Sequence, residues 1–350
     1  MSKEAILTAE LVQRKFDQKT KPVGSLGMLE KLGVQLAVVQ DTLSPSVSRK
    51  RIGVFAGSHG VARRGVSAYP AAVTAQMVQN FLNGGAAINV LARHGGIELR
   101  IINAGVEGEL SALHAPNFRN EPVRQGTRDF VDEPAMTEAE CETAIAIGRS
   151  ELEKAKQDGI ELFGIGEMGI GNTTSASALC AALLPTPVEE LVGRGTGIDD
   201  EQLAHKIQVV KMAIALHQKK CHSPRAWLAA VGGFEIAAMT GAVLAAFEHR
   251  LPIVIDGFIA TAAALVAIKE NPKVQSVCFF AHCSDETGHR AVLEHLGAEP
   301  ILSLKLRLGE GTGAALAMPI IEAAAKLLCE MATFESAGVS QKEERKQRAS

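Results

Sequence analysis

Two glutamates stand alone among glycines, and both precede stretches that read as helices. Glu310 lies between Gly309 and Gly311 in LRLGEGTG (306–313), just ahead of a long apolar run. A carboxylate there either caps the helix or reaches a ligand. In a dry site, burial raises its pKa toward the range a general base needs. Glu167 sits in LFGIGEMGIGNTTSASA (162–178), where a short apolar strand runs into a glycine-dense turn and a small-residue helix. Glycines let the backbone approach a ligand, and the unpaired N–H groups of a helix start attract anions, so this turn suits a phosphate. A carboxylate inside such a loop points to something besides phosphate. A second glycine loop, LVGRGTGIDD (191–200), offers Gly193, Gly195, Gly197 and Arg194 to an anion, with Lys206 on the helix that follows. Asp199 and Asp200 read most simply as that helix's N-terminal cap.

Other chemistries fit less well. Gly164, Gly166 and Gly169 spell GxGxxG after a strand, but no second strand with a ribose-binding acid follows, and Glu167 would crowd a pyrophosphate. Ser58 and His59 are adjacent and lack a G-x-S-x-G elbow, which argues against a hydrolase triad. The spacing of His282, Cys283 and His289 matches no common zinc pattern.

The elements that must position these groups alternate. Strands are predicted at 51–56, 99–103, 162–165, 253–255 and 277–281. Helices are predicted at 3–19, within 19–40, and at 70–81, 86–94, 137–157, 173–184, 201–217, 235–248, 259–269, 286–296 and 313–329. The segment 107–134 reads as an irregular loop. This rhythm argues for a mostly parallel sheet flanked by helices, with a ligand crevice beyond the carboxyl ends of the strands. Of the residues, 47% are hydrophobic and only 4% aromatic, and 33 are glycine, which suits helices packed closely on a sheet. A net charge of −3 makes nucleic acid or an anionic membrane a poor partner. Six cysteines without a CxxC pair fit a cytoplasmic setting, and the N-terminus lacks a signal peptide's apolar core. Leu228–Phe247 and Ile253–Ile268 are apolar, but Glu235 and Asp256 interrupt them, so both read as buried elements rather than membrane spans.

Together, TKPVGSLGMLEKL, HGVARRGVSAYP, GIGEMGIGNTTSASAL, VGRGTGIDD, DGFIATAAAL, LRLGEGTGAALAMPIIEAA and MATFESAGV resemble the nicotinate-nucleotide:dimethylbenzimidazole phosphoribosyltransferases of cobalamin nucleotide-loop assembly. The resemblance covers nearly the whole chain. It implies a homodimer of α/β subunits, each with a large Rossmann-like domain and a small helical one. Its divisions here are residues 1–45 for N-terminal helices of the small domain, 46–332 for the large domain, with some helical segments shared, and 333–350 for a charged tail. The implied reaction transfers ribosyl phosphate from nicotinate mononucleotide to a benzimidazole base, with inversion and without cofactor or metal. It implies that Glu310 is the catalytic base and that Glu167 lies near the reacting groups. Gly169, Gly171, Asn172, Thr173, Thr174, Arg194, Gly195, Gly197 and Lys206 would hold the phosphate. Ser67, Tyr69 and Gln76 would form the base pocket. The chain departs from the family pattern at Ser58 and Asn103, where aspartates are usual, so a non-catalytic nucleotide- or base-binding paralogue stands as the alternative.

Overall fold

A computed structural model describes residues 7–195 and 197–340. Residues 341–350 of the expected tail and the first residues of the N-terminal helix lie outside them, while Phe334–Ala337, within the expected tail, is a short helix. The described chain forms two compact units. One comprises the chain up to Ser46 and from Ile320 onward, and the other Val47–Pro319. The sequence-based division carried the larger domain on to residue 332.

In the first unit, the helices Ala9–Asp17 and Met28–Gln40 pack around Val12, Phe16, Ala37 and Leu328. They meet closely because Gly33 has no side chain: a Cβ there would lie 2.7 Å from the Phe16 ring. Lys21 and Glu30 form a 2.7 Å ion pair with both side chains only 5% exposed. Gln13 and the Leu26 N–H also donate to Glu30, which satisfies its buried oxygens.

The larger unit holds a six-stranded sheet of β1 (Lys50–Gly57), β2 (Glu98–Gly105), β3 (Phe118–Asn120), β4 (Leu162–Met168), β5 (Ile253–Ile255) and β6 (Cys278–Phe280). Every pairing is parallel, and the order is β3-β2-β1-β4-β5-β6. This is the doubly wound arrangement, which reverses direction beside β1 and opens a crevice at the strand carboxyl ends. All of β1 is buried, as expected of a central strand covered on both faces. The helices Phe234–Glu248 and Phe258–Glu270 are apolar around nearly their whole circumference and are buried accordingly. Small residues allow the closest approach. A Cβ at Gly148 would lie 1.6 Å from the Ala238 carbonyl oxygen, so Glu138–Gln157 and Phe234–Glu248 touch backbone to backbone.

Most predicted elements appear within a few residues of their expected bounds, with two informative exceptions. β3 lies inside the segment read as irregular; three residues are too few to show a pattern. β4 continues to Met168, so Glu167 belongs to the strand rather than to the loop after it. Thr312–Glu330 is long and apolar enough to cross a membrane, but more than half of that stretch is buried in the fold.

Candidate active site

A cavity of about 530 Å³ opens beyond the carboxyl ends of β4, β5 and β6. Its wall includes Glu167–Ile170, Asn172 and Thr173 after β4, Gly257–Ile259 after β5, His282, Ser284 and Glu286 after β6, and the loop 305–309, with Tyr69 and Gly195.

One end is acidic. Glu167, at the end of β4, is 6% exposed and accepts a hydrogen bond from the Asn172 side chain. Burial pushes its pKa up to about 8, helped by the charges of Asp256 and Glu235 and opposed by Asn172. Its carbonyl oxygen accepts from the Glu310 N–H at 3.2 Å, tying the strand to the GEG loop. This contact explains Gly166, where a Cβ would lie 2.3 Å from the Gly311 nitrogen. Glu310 is 5% exposed and takes a left-handed backbone conformation, φ +63°. Its Oε2 accepts from the Ile88 N–H at 3.3 Å, in the first turn of the helix Ala87–Gly95. Burial raises its pKa above the ordinary carboxylate value, and that helix N–H offsets part of the rise.

Behind them lies Asp256, which follows β5 and is 1% exposed. Its oxygens accept from the Gly311 and Ala314 N–H groups at 3.2 and 2.8 Å, capping the start of Thr312–Glu330. Burial nevertheless pushes its pKa up to about 7. Glu235, buried at the start of its helix, meets His59 Nε2 at 2.5 Å. His59 therefore pairs with a residue 176 positions away, and not with its neighbour Ser58. A Cβ at Gly169 would lie 2.4 Å from the Gly57 carbonyl oxygen and 3.2 Å from Glu235. The glycines of the apparent dinucleotide fingerprint thus let segments touch.

The other end is cationic. Lys206 is fully buried, and its Nζ donates to Thr173 Oγ1 at 2.8 Å and to the Gly193 carbonyl oxygen at 3.0 Å. Burial lowers its pKa to about 8. Arg307 reaches the Gly195 carbonyl oxygen at 3.2 Å, and Lys305 lines the same wall. Sequence reading missed these two bases, although both lie within five residues of Glu310. Opposite them, Glu286 accepts from the Gly195 N–H at 3.3 Å.

Among the expected phosphate residues, Gly169, Asn172, Thr173 and Gly195 line the cavity, and Lys206 touches it through Thr173. Gly171 (φ +94°) turns the chain into the helix Asn172–Leu183 and is not on the wall. Thr174 is buried and Gly197 exposed, and neither is on the wall. Arg194 points away: its guanidinium contacts Asp200 and donates to the Ile198 carbonyl oxygen at 2.9 Å. Asp199 caps the helix Asp200–His217, accepting from the Gln202 N–H at 2.8 Å. Among the expected base-pocket residues, Tyr69 reaches the wall, 55% exposed, while Ser67 accepts from the Tyr69 N–H at 3.3 Å and Gln76 stays exposed off the wall. Ser58 and Asn103 act locally. Ser58 Oγ accepts from the Glu107 N–H at 3.0 Å, and Asn103 Oδ1 accepts from the Gly105 and Val106 N–H groups at 3.1 and 2.8 Å.

His289 is neutral by construction. Its Nδ1 accepts from the Ser284 N–H at 2.9 Å, so Nε2 carries the proton facing Thr261, and burial lowers its pKa to about 3. His289 therefore orders the loop after β6.

A phosphoribosyltransferase family model matches residues 5–339. The nicotinate-nucleotide–dimethylbenzimidazole phosphoribosyltransferase of Ralstonia nicotianae is 53% identical over 93% of this chain and 92% of its own length. That of Geotalea uraniireducens is 50% identical over 97% and 96%. The crystal structure of CobT from Thermus thermophilus superposes with a TM-score of 0.92 at 46% identity, covering 95% of this chain and 99% of that one. A cavity with an anion end and an acid end, on a fold shared over nearly the whole chain, places this protein in the nicotinate-nucleotide–dimethylbenzimidazole phosphoribosyltransferase family.

Proposed function

We propose that the chain transfers ribosyl phosphate from nicotinate mononucleotide to 5,6-dimethylbenzimidazole or a related base, giving α-ribazole 5′-phosphate and nicotinate. The observation that carries this reading is the two-ended cavity: the Gly195 loop and Thr173, backed by buried Lys206, at one end, and Glu167 at the other, with Glu310 buried just off the wall and tied to it by its N–H. The phosphate goes to the cationic end, where Thr173, Lys206, Arg307 and the N-terminus of Asn172–Leu183 favour an anion. The reacting carbon then lies toward Glu310.

Glu310 accepts the N–H proton of the incoming imidazole. The other ring nitrogen uses its lone pair to bond to the anomeric carbon from the face opposite nicotinate. The bond to the pyridinium nitrogen breaks with its electron pair staying on nicotinate, which leaves neutral at that nitrogen. Inversion from β to α follows from the opposed faces. The left-handed backbone at Glu310 and its single side-chain hydrogen bond to Ile88 leave its other oxygen available for the proton. The Glu310 charge is among the causes that raise the pKa of Glu167 to about 8, so near neutral pH Glu167 holds a proton beside Glu310.

Ser58 and Asn103 bond to backbone turns and are not on the cavity wall, which supports the catalytic reading over a non-catalytic paralogue. We further place the reaction in the cytoplasm, consistent with six free cysteines, and assign a homodimer on the family resemblance. Mass spectrometry of nicotinate mononucleotide incubated with a panel of bases tests the reaction. Release of nicotinate with an α-riboside phosphate is expected, and ligand binding without nicotinate release contradicts it.

A further inference from the structure

We propose that Asp256 is a positioning residue, which holds the Glu310 carboxylate in its working orientation by anchoring the backbone of residues 311–314. The proposal rests on the reading of Glu310 as the base.

Glu310 is a non-glycine residue at φ +63°, a conformation that persists only where its surroundings hold it. Two carboxyl-end segments hold it. From β4, the Glu167 carbonyl oxygen takes the Glu310 N–H at 3.2 Å. From β5, Asp256 Oδ2 takes the next N–H, that of Gly311, at 3.2 Å, and Oδ1 takes that of Ala314 at 2.8 Å. The β5 anchor is rigid, since Ile255 pairs with Ile165 on one side and Phe280 on the other. Asp256 itself is 1% exposed, and its two oxygens are taken up by the Gly311 and Ala314 N–H groups. It therefore acts through the loop it holds. Both of its oxygens are acceptors for N–H groups, a demand asparagine cannot meet: one of its two positions is an NH₂ that would face a donor. The loop would have to shift, and with it the carboxylate.

Asp256→Asn is the test, with kcat and KM measured for both substrates. Displacing a catalytic group by about an ångström costs on the order of 100-fold, so kcat should fall roughly 10- to 100-fold while each KM stays within about threefold. A double-mutant cycle separates positioning from general damage. In a Glu310→Gln background, Asp256→Asn should change kcat by less than about twofold, because the group it positions is already gone. If Glu310→Gln is slow while Asp256→Asn keeps the native kcat, this proposal alone is overturned. An equal loss from Asp256→Asn in both backgrounds also overturns it. If Glu310→Gln keeps the native kcat, the base assignment falls and this proposal falls with it. Should Asp256→Asn not fold, Asp256→Ser, which removes bulk and keeps one acceptor, is judged by the same criteria. Failure of both to fold marks Asp256 as a stability residue and rejects the positioning role.

Discussion

At the cationic end of the cavity, recognition is built mainly from loops: two glycine turns, a helix start and a lysine whose Nζ is held by Thr173 and the Gly193 carbonyl. At the acid end, Glu167, Glu310 and Asp256 arrive from three segments of chain and are crowded into a buried volume, where Asp256 and Glu310 raise the proton affinity of Glu167 and Glu310 raises that of Asp256. In the proposed reaction, the first end needs only to stabilise a charge that is present before and after, whereas the second must change its protonation during it. Binding energy spent equally on ground and transition states lowers KM, whereas a proton taken in the transition state sets kcat.

The two ends should therefore separate under mutation. Glu310→Gln should lower kcat by about 10²- to 10⁴-fold with little change in KM, the range typical of a lost general base. Lys206→Met should instead act chiefly on the KM for nicotinate mononucleotide. A buried hydrogen bond to a charged group is worth about 1.5–3 kcal/mol, or roughly 10- to 100-fold. Steady-state kinetics on the two variants check both. A KM effect from Glu310→Gln alone would merge the two ends into one binding site.

Glu167→Gln tests the crowding of the acid end without reference to turnover. The folded-state pKa of Glu167 is raised from 4.5 to about 8. Its protonated form thus contributes stability that is full below about pH 4.5 and is lost as pH rises to about 8. Glutamine stays neutral throughout, so the variant should melt a few degrees higher than the native protein at pH 8.5 and nearly equal to it at pH 4.5. A difference independent of pH would remove the charge argument. The smallest effect belongs to Arg194→Ala. Its guanidinium is half exposed and turned to Asp200, so KM should move by less than about twofold.

The same contrast governs what could be read in the sequence. Glycine loops announce themselves locally, so Gly169, Asn172, Thr173 and Gly195 were legible as candidates that share one cavity wall, with Lys206 bonded to Thr173. Glu310 was legible as a candidate because a lone acid between glycines before an apolar helix has few other uses. Orientation was not. Nothing local tells Arg194 to turn toward Asp200, or distinguishes it from Arg307, which faces the cavity. Asp256 and Glu235 looked like charges interrupting apolar stretches. A buried acid must find donors or a partner, and that requirement was a usable signal. The partners themselves, Gly311 and Ala314 for one and His59 for the other, lie 55 to 176 residues away and emerge only from strand order. The parallel sheet followed from the alternation of elements. The three residues of β3 and the extension of β4 through Glu167 depend on pairing with neighbours, which no local pattern records.

The pH dependence of kcat, compared between the native protein and Glu310→Gln, tests the division of labour most directly. Because burial raises the pKa of Glu310, the native acid limb should have its midpoint above the ordinary glutamate value of about 4.3, with activity rising as pH increases through it. That limb should disappear from the residual activity of Glu310→Gln. A limb of the same midpoint in both proteins would assign the proton to another group and contradict the account.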